Sequence, residues 1–371
     1  GRVVIVVSKD CCYGVDTVTG EAVWRRVTGR DLPFFPLSLT ASAPSILLFD
    51  TNHRELVLLD RDTGKLVWRQ PLEEAVSGPP LVESGQLFVP TLGNHLYKID
   101  LGTGRATVRV TFSQQVLSPP VLDSSRSRMV VAGDREVFYT LSMRPFECTA
   151  VSYSGHASGS LKAPLLTMGG LVLATVNDRA QSSRLRVFDA RSDNGQLTEV
   201  ASAEVEGIVR DQPTLRGNQL FVTSSGQRIT SFTVSDSDGR PPVTAGPRFQ
   251  GQGPYEGPIY LLAGADGQLW MSSDSLRKLQ ATPTTLTEDP RKVAVGLTNQ
   301  PLQLIGRNLF VGRRTPFSDA VYFSQVDREE MSSEWRTVAG ATVLDWSTPD
   351  AAAAVCVTED GTVFAVPAGE L

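Results

Sequence analysis

The residues able to do chemistry in this chain are few and scattered. Cys11 and Cys12 are adjacent, Cys148 and Cys356 stand alone, and no CxxC pair or metal spacing links them. Four cysteines in 371 residues are too sparse for a disulfide scaffold. His53, His95 and His156 lie far apart, with no H-x-x-x-H spacing to make them metal ligands. Ser154-Gly-His-Ala-Ser-Gly-Ser160 superficially suggests a nucleophile loop. It is not Gly-x-Ser-x-Gly, and it reads as a polar connection. No Gly-x-x-x-x-Gly-Lys-[Ser/Thr] phosphate loop occurs. The acidic pairs Asp10/Asp16 and Asp60/Asp62 are explained by turns. Asp236 and Asp238 could hold Ca²⁺ but read better as a solvated turn. The expectation is therefore no catalytic, cofactor-binding or metal residues.

Composition narrows the classes further. The chain is 41% hydrophobic and 20% charged, with a net charge of −5. No Lys/Arg cluster gives it the basic face of a nucleic-acid binder. Lys is scarce, with six residues against 29 Arg, which reads as genomic base composition. No apolar run approaches the roughly 18 residues of a membrane span; the longest candidate, Ala351–Val357, suits a buried strand. The chain begins with Gly and enters a strand almost at once, at Val3–Val7, without a signal-peptide pattern. The expectation is an excised segment of a longer protein.

What must position any site is a repeat. Gly14-Val-Asp-Thr-Val-Thr-Gly-Glu-Ala-Val-Trp24, Leu58-Leu-Asp-Arg-Asp-Thr-Gly-Lys-Leu-Val-Trp68 and Lys98-Ile-Asp-Leu-Gly-Thr-Gly-Arg-Ala-Thr-Val108 align without gaps. Their core is Asp-x-x-Thr-Gly, carried by Asp16, Thr19 and Gly20, by Asp60, Thr63 and Gly64, and by Asp100, Thr103 and Gly104. Asp and Thr can bond to a turn's backbone, and Gly supplies the positive φ of a hairpin. Trp24 and Trp68 are large apolar plates, fit to pack between neighbouring sheets. A second signal opens each unit, a Pro before a short apolar strand: Pro36, Pro80, Pro120, Pro164, Pro213, Pro258 and Pro301, with Ala341-Thr-Val-Leu as an eighth opening lacking Pro. A period of about 40–45 residues suits a four-stranded propeller blade.

The Asp-x-x-Thr-Gly-x-x-x-Trp copies resemble the tryptophan-docking motif of PQQ-like, quinoprotein-type β-propellers, shared by quinoprotein dehydrogenases and BamB-type outer-membrane assembly lipoproteins. The motif is good in three repeats and decays afterwards, as in Phe188-Asp-Ala-Arg-Ser-Asp-Asn-Gly195. The resemblance implies an all-β propeller of eight four-stranded antiparallel blades, with residues 1–371 as a single domain. Seven or nine blades also fit the arithmetic, because the two termini together hold two strands more than one shared blade. In the dehydrogenases the quinone PQQ sits beside Ca²⁺, often with a vicinal disulfide against it. Whether Cys11 and Cys12 form one is open. They begin the strand running into Tyr13-Gly14-Val15-Asp16, which argues for a structural role. The family's accompanying Glu, Asn and catalytic Asp have no recognisable counterpart. No cofactor is therefore expected, with PQQ and Ca²⁺ as the alternative.

With strands lettered a to d from the axis outward, the a–b and c–d turns share one face. The b–c and d–a connections share the other. Longer connections fall on the second: Arg30–Pro36 with Phe34 and Phe35, Asn177–Ser183, Gln250–Gly257 with Tyr255, and Gly312–Ala320 with Arg313, Arg314 and Phe317. Loops on a rigid scaffold are the usual carriers of binding residues. These six are the expected contacts of a protein or peptide partner; the competing reading packs Phe34 and Phe35 into a blade junction. The expected function is a monomeric, non-enzymatic binding or scaffolding propeller, placed by the resemblance in the periplasm or cell envelope. A PQQ-dependent dehydrogenase and a sensory module of a larger protein are the alternatives.

Overall fold

A computed structural model describes the chain except residues 1–2, 9, 17–18, 20, 40–43, 156, 295, 299–300, 306, 315–320, 340–342, 351–352, 359–361 and 368–371. Gly20, His156 and Phe317 lie outside the described residues. The described strands form nine antiparallel sheets in chain order: six of four strands, one of five, and one of three at each end. The one helical piece among the described residues is a 3-10 turn at Ala265–Gly267. The chain is the all-β propeller that the repeat calls for.

The second sheet shows the pattern, with strands a to d at Leu37–Leu39, Ser45–Asp50, Glu55–Asp60 and Leu66–Pro71. Strands b and c are buried on both faces, whereas d alternates at the rim. That is why the inner strands read as continuous apolar runs. The third sheet repeats it at Leu81–Glu83, Gln86–Pro90, His95–Asp100 and Ala106–Thr111. The fourth follows at Val121–Leu122, Arg128–Ala132, Val137–Met143 and Phe146–Tyr153. The a strands begin within two residues of the predicted prolines, as at Pro36, Pro80, Pro120 and Pro213. Pro has no N–H to offer a ladder and is tolerated at a strand's start.

Seven sheets carry the full a-to-d set; in the last of them the a position is split between Leu297–Thr298 and Gln303–Ile305. The eighth blade position falls at the chain ends. There Val3–Ser8, Cys11–Asp16 and Ala22–Val27 form one three-stranded sheet, and Val343–Asp350, Ala353–Thr358 and Val363–Pro367 form another. The two pack together through Val6, Val15, Val355 and Val357. The strands in excess of the arithmetic are thus held in separate sheets. The chain divides into two compact units: residues 1–73, 257–280 and 287–371, and residues 74–256 with 281–286. In the second unit consecutive sheets stack through continuous apolar clusters, such as Phe88, Phe112, Met129 and Tyr139 between the third and fourth.

The docking motif works as its residue types imply. Asp60 accepts the Thr63 amide at 2.8 Å and the Thr63 hydroxyl at 2.7 Å, and Asp100 holds Thr103 likewise at 2.8 Å for both. These donors, the hydroxyl first, hold both carboxyls below the usual carboxylate range. Gly64 and Gly104 take φ of +64° and +72°. Trp24, on the first sheet's d strand, donates from Nε1 to the Arg61 carbonyl at 2.7 Å, inside the turn of the second sheet. A Cβ at Gly64 would lie 2.4 Å from Trp24 Cγ, so only glycine lets the ring lie flat on that turn.

Candidate functional site

Of the six residues expected to meet a partner, the four whose burial is described, Phe34, Phe35, Tyr255 and Arg313, do not make an exposed surface. Phe34 is 7% exposed and Phe35 half-buried, which is the packed arrangement of the competing reading. Tyr255 is 6% exposed and Arg313 1%. Arg313 and Arg314 are not in a loop: the b strand runs Asn308–Arg314, and Arg313 pairs with Thr298 on one side and Tyr322 on the other. Among the described residues, no acceptor meets any of the three Arg313 nitrogens. Burial pushes its guanidinium down to about 9. The Asn177–Ser183 connection is also tighter than its sequence suggests, with strands reaching Arg179 and resuming at Ser182. Asn177 is a brace there, accepting the Val209 amide at 3.0 Å and donating to the Val209 carbonyl at 2.9 Å.

The other chemical residues are also held structurally. Cys11 and Cys12 are buried free thiols on one strand. Cys12 packs in the cluster with Trp24, Ile46 and Val57, and desolvation raises its thiol to about 12, with Cys11 contributing. Arg25 donates from Nε and Nη2 to Cys11 Sγ at 3.2 Å. Asp236 accepts the Gly170 amide at 2.8 Å and faces Arg191 at 3.3 Å, which accounts for it without a cation. His53 stands with Asp50 and Glu55 within 4.8 Å, a grouping the sequence spacing did not suggest. Asp50 is occupied by the Asn52 and His53 amides and by His53 Nδ1, and Glu55 faces Arg26. These bonds make it a turn clasp.

The site that stands out is a cavity of about 950 Å³ within the second unit, between the third and fourth sheets. It arises where the docking pair is missing on both sides. In the ladders of the first three sheets, Trp24 pairs with Gly14, Trp68 with Leu58, and Val108 with Lys98. Val108 thus stands where the plate should be, and Lys98 beneath it. Across the gap, the fourth sheet's c–d turn is not Asp-x-x-Thr-Gly but the short Arg144-Pro145, flanked by Met143 and Phe146. Val108, Lys98, Met143 and Arg144 all line the cavity. Its remaining walls are the a–b turns, Glu83 to Gln86 and Ser125 to Arg128. The cavity therefore opens among a–b and c–d turns, on the face opposite the b–c and d–a connections of its own sheets.

Its charge is one-sided. Lys98, Arg126, Arg128 and Arg144 face a single carboxylate, Glu83. Arg126 pairs with Glu83 at 2.5 Å. The Ser84 hydroxyl, foremost, and Arg126 hold Glu83 below the usual carboxylate range. Arg128 is braced by the Ala190 and Ser192 carbonyls, at 2.8 and 2.6 Å, which fix it without neutralising it. Lys98 Nζ lies 5.2 Å from the Phe146 ring centroid, and Phe146 in turn packs on Phe88 at 5.3 Å. Among the described residues no carboxylate pairs with Lys98 or Arg144. The turns are stiff: Ser84 and Arg126 both hold positive φ, and Asp123 gathers the Ser127 and Arg128 amides at 2.9 and 3.1 Å. The sequence carried the signal for this groove in two places, Val108 in the third repeat and Met143-Arg-Pro-Phe146 in the fourth.

Comparison with known proteins bears on the repeat. Residues 52–145, which include the whole groove, match the family model described as outer membrane protein assembly factor BamB. No curated protein matches the chain. Among solved structures, BamB from Moraxella catarrhalis aligns over 98% of this chain and 93% of its own, at 14% identity and a TM-score of 0.55. The computationally designed Ika8 protein aligns over 91% and 96%, at 12% identity and 0.58. The dihydro-heme d1 dehydrogenase NirN aligns over 91% and 75%, at 13% identity and 0.59. Such identities speak to the fold alone, and the same fold appears in an assembly factor, a design and a dehydrogenase. With the docking turns seen above, they show the fold of a β-propeller, in which residues 52–145 match the BamB-type repeat.

Proposed function

We propose that this propeller is a non-enzymatic binding or scaffolding domain that engages a protein partner through the groove between its third and fourth sheets. The observation that carries the reading is the paired loss at that junction. Between the first two sheets Trp24 on Gly64 seals the junction; here Val108 stands for the Trp and Arg144-Pro145 for the docking turn, with Lys98 beside them. A cavity of this size lies at the upper end of the range that ligands fill. The burial of Phe34, Tyr255 and Arg313 leaves those three side chains little surface to offer a partner, which favours the groove. The likeness of residues 52–145 to an outer-membrane protein assembly factor supports a partner in a bacterial cell envelope.

A photo-reactive amino acid tests the reading in cells. Thr107 is exposed on the groove's lip, and Arg135 is exposed on the opposite face, in a b–c turn of the same unit. A discrete protein cross-linked from position 107 and absent from position 135 is the expected result. Cross-links from 135 alone, or none from 107, would contradict it.

A further inference from the structure

Resting on the groove as the partner's site, we infer that what it takes is an acidic peptide segment, held by its carboxylates. The first ground is charge. Of the four cations, only Arg126 meets a carboxylate, so Lys98, Arg128 and Arg144 present positive charge to whatever enters. This occurs in a chain whose net charge is −5, so the groove is a local reversal of sign. The second ground is the lining between the cations. The Ser142 hydroxyl accepts the Arg144 amide and keeps its own proton for a ligand oxygen, while the hydroxyls of Ser84, Thr107, Ser125 and Ser127 donate within the protein and leave their lone pairs as a polar lining. The third is size. A cavity of about 950 Å³ far exceeds an inorganic anion and accommodates a run of side chains.

A single-stranded nucleic acid would satisfy the cations but not the rest of the surface. Such ligands need a basic track and exposed aromatic rings on which bases stack. The one aromatic residue lining the groove, Phe88, is fully buried as its floor. The cations are a compact group, and the protein beyond them is acidic overall. A peptide rich in Glu or Asp meets the same charges with short, flexible carboxylates and asks for no stacking platform.

The test is fluorescence anisotropy on the full chain, with a fluorescein-labelled peptide of alternating Glu and Ser as probe. Alternating Gln and Ser serves as the neutral control, and labelled oligothymidylate as the competing polyanion. The Glu–Ser probe is expected to bind, to weaken as salt rises, and to bind more tightly than either control. In Lys98→Glu/Arg144→Glu its affinity falls about tenfold or more for each reversed charge. Arg144→Glu alone, at an exposed turn, gives the same reading should the double variant melt early. Equal binding by the variant, equal binding of the Gln–Ser peptide, or tighter binding of oligothymidylate overturns the inference. Absence of any peptide binding overturns it as well, while a cross-link from position 107 would still stand for a partner of different chemistry.

Discussion

Trp24→Ala is expected to destabilise the protein by about 3–5 kcal/mol, the range for removing a buried Trp. Trp24 is 9% exposed and does three things at once. Its ring joins the cluster of Ile5, Cys12, Ile46, Leu48, Val57 and Leu59. Its Nε1–H donates to the Arg61 carbonyl at 2.7 Å. Its face closes over Gly64, where no other residue fits. Alanine leaves a cavity between the first two sheets and a carbonyl without its donor. Trp24→Phe separates the contributions, since it keeps a plate but loses the N–H, and is expected to cost about 1 kcal/mol from the bond plus a smaller cavity. Urea unfolding of the three proteins at neutral pH checks this. A Trp24→Ala variant within about 1 kcal/mol of the parent would show that the docking pair does not hold the blades.

The second large effect has the opposite sign. Arg313→Met is expected to stabilise the protein by about 1–4 kcal/mol, the range seen when apolar residues replace buried ionic groups. The guanidinium is 1% exposed, and none of its nitrogens meets an acceptor among the described residues. It sits mid-ladder between Thr298 and Tyr322, beside a core of Leu309, Val311 and Val326. Burial lowers its proton affinity to about 9, so at neutral pH the folded state still carries the charge and its desolvation cost. Met has a comparable length and no charge to bury. The same urea series measures it, and a clear loss of stability in Arg313→Met would mean that the charge is satisfied in the folded protein.

The sequence made the architecture legible because its signals are local and repeat. A tight c–d turn needs Asp, Thr and a glycine of positive φ, so Asp60-Arg-Asp-Thr-Gly64 announces itself in one line of residues. A Pro at a strand's start does the same for seven of the eight blade openings. The burial of the expected contact residues was not legible because burial is not local. Gly312–Ala320 reads as a loop from its polar and small residues, yet Gly312, Arg313 and Arg314 extend the b strand by pairing with Phe323, Tyr322 and Val321. Phe34 and Phe35 could equally have been exposed or packed, and nothing within Arg30–Pro36 decides between them. The groove was missed for a different reason. It is made by two absences 36 residues apart, Val108 for a Trp and Arg144-Pro145 for a docking turn. Each looks like ordinary decay until the ladder sets them on facing blades.

That relation supplies the most direct measurement. Val108→Trp restores the plate at the position where Trp24 and Trp68 stand, and it narrows the groove beside Lys98 and Thr107. The prediction is a melting midpoint held or raised, together with loss of both the cross-link from position 107 and Glu–Ser peptide binding. Binding that persists unchanged with the tryptophan in place would contradict the claim that the vacant docking position is the site.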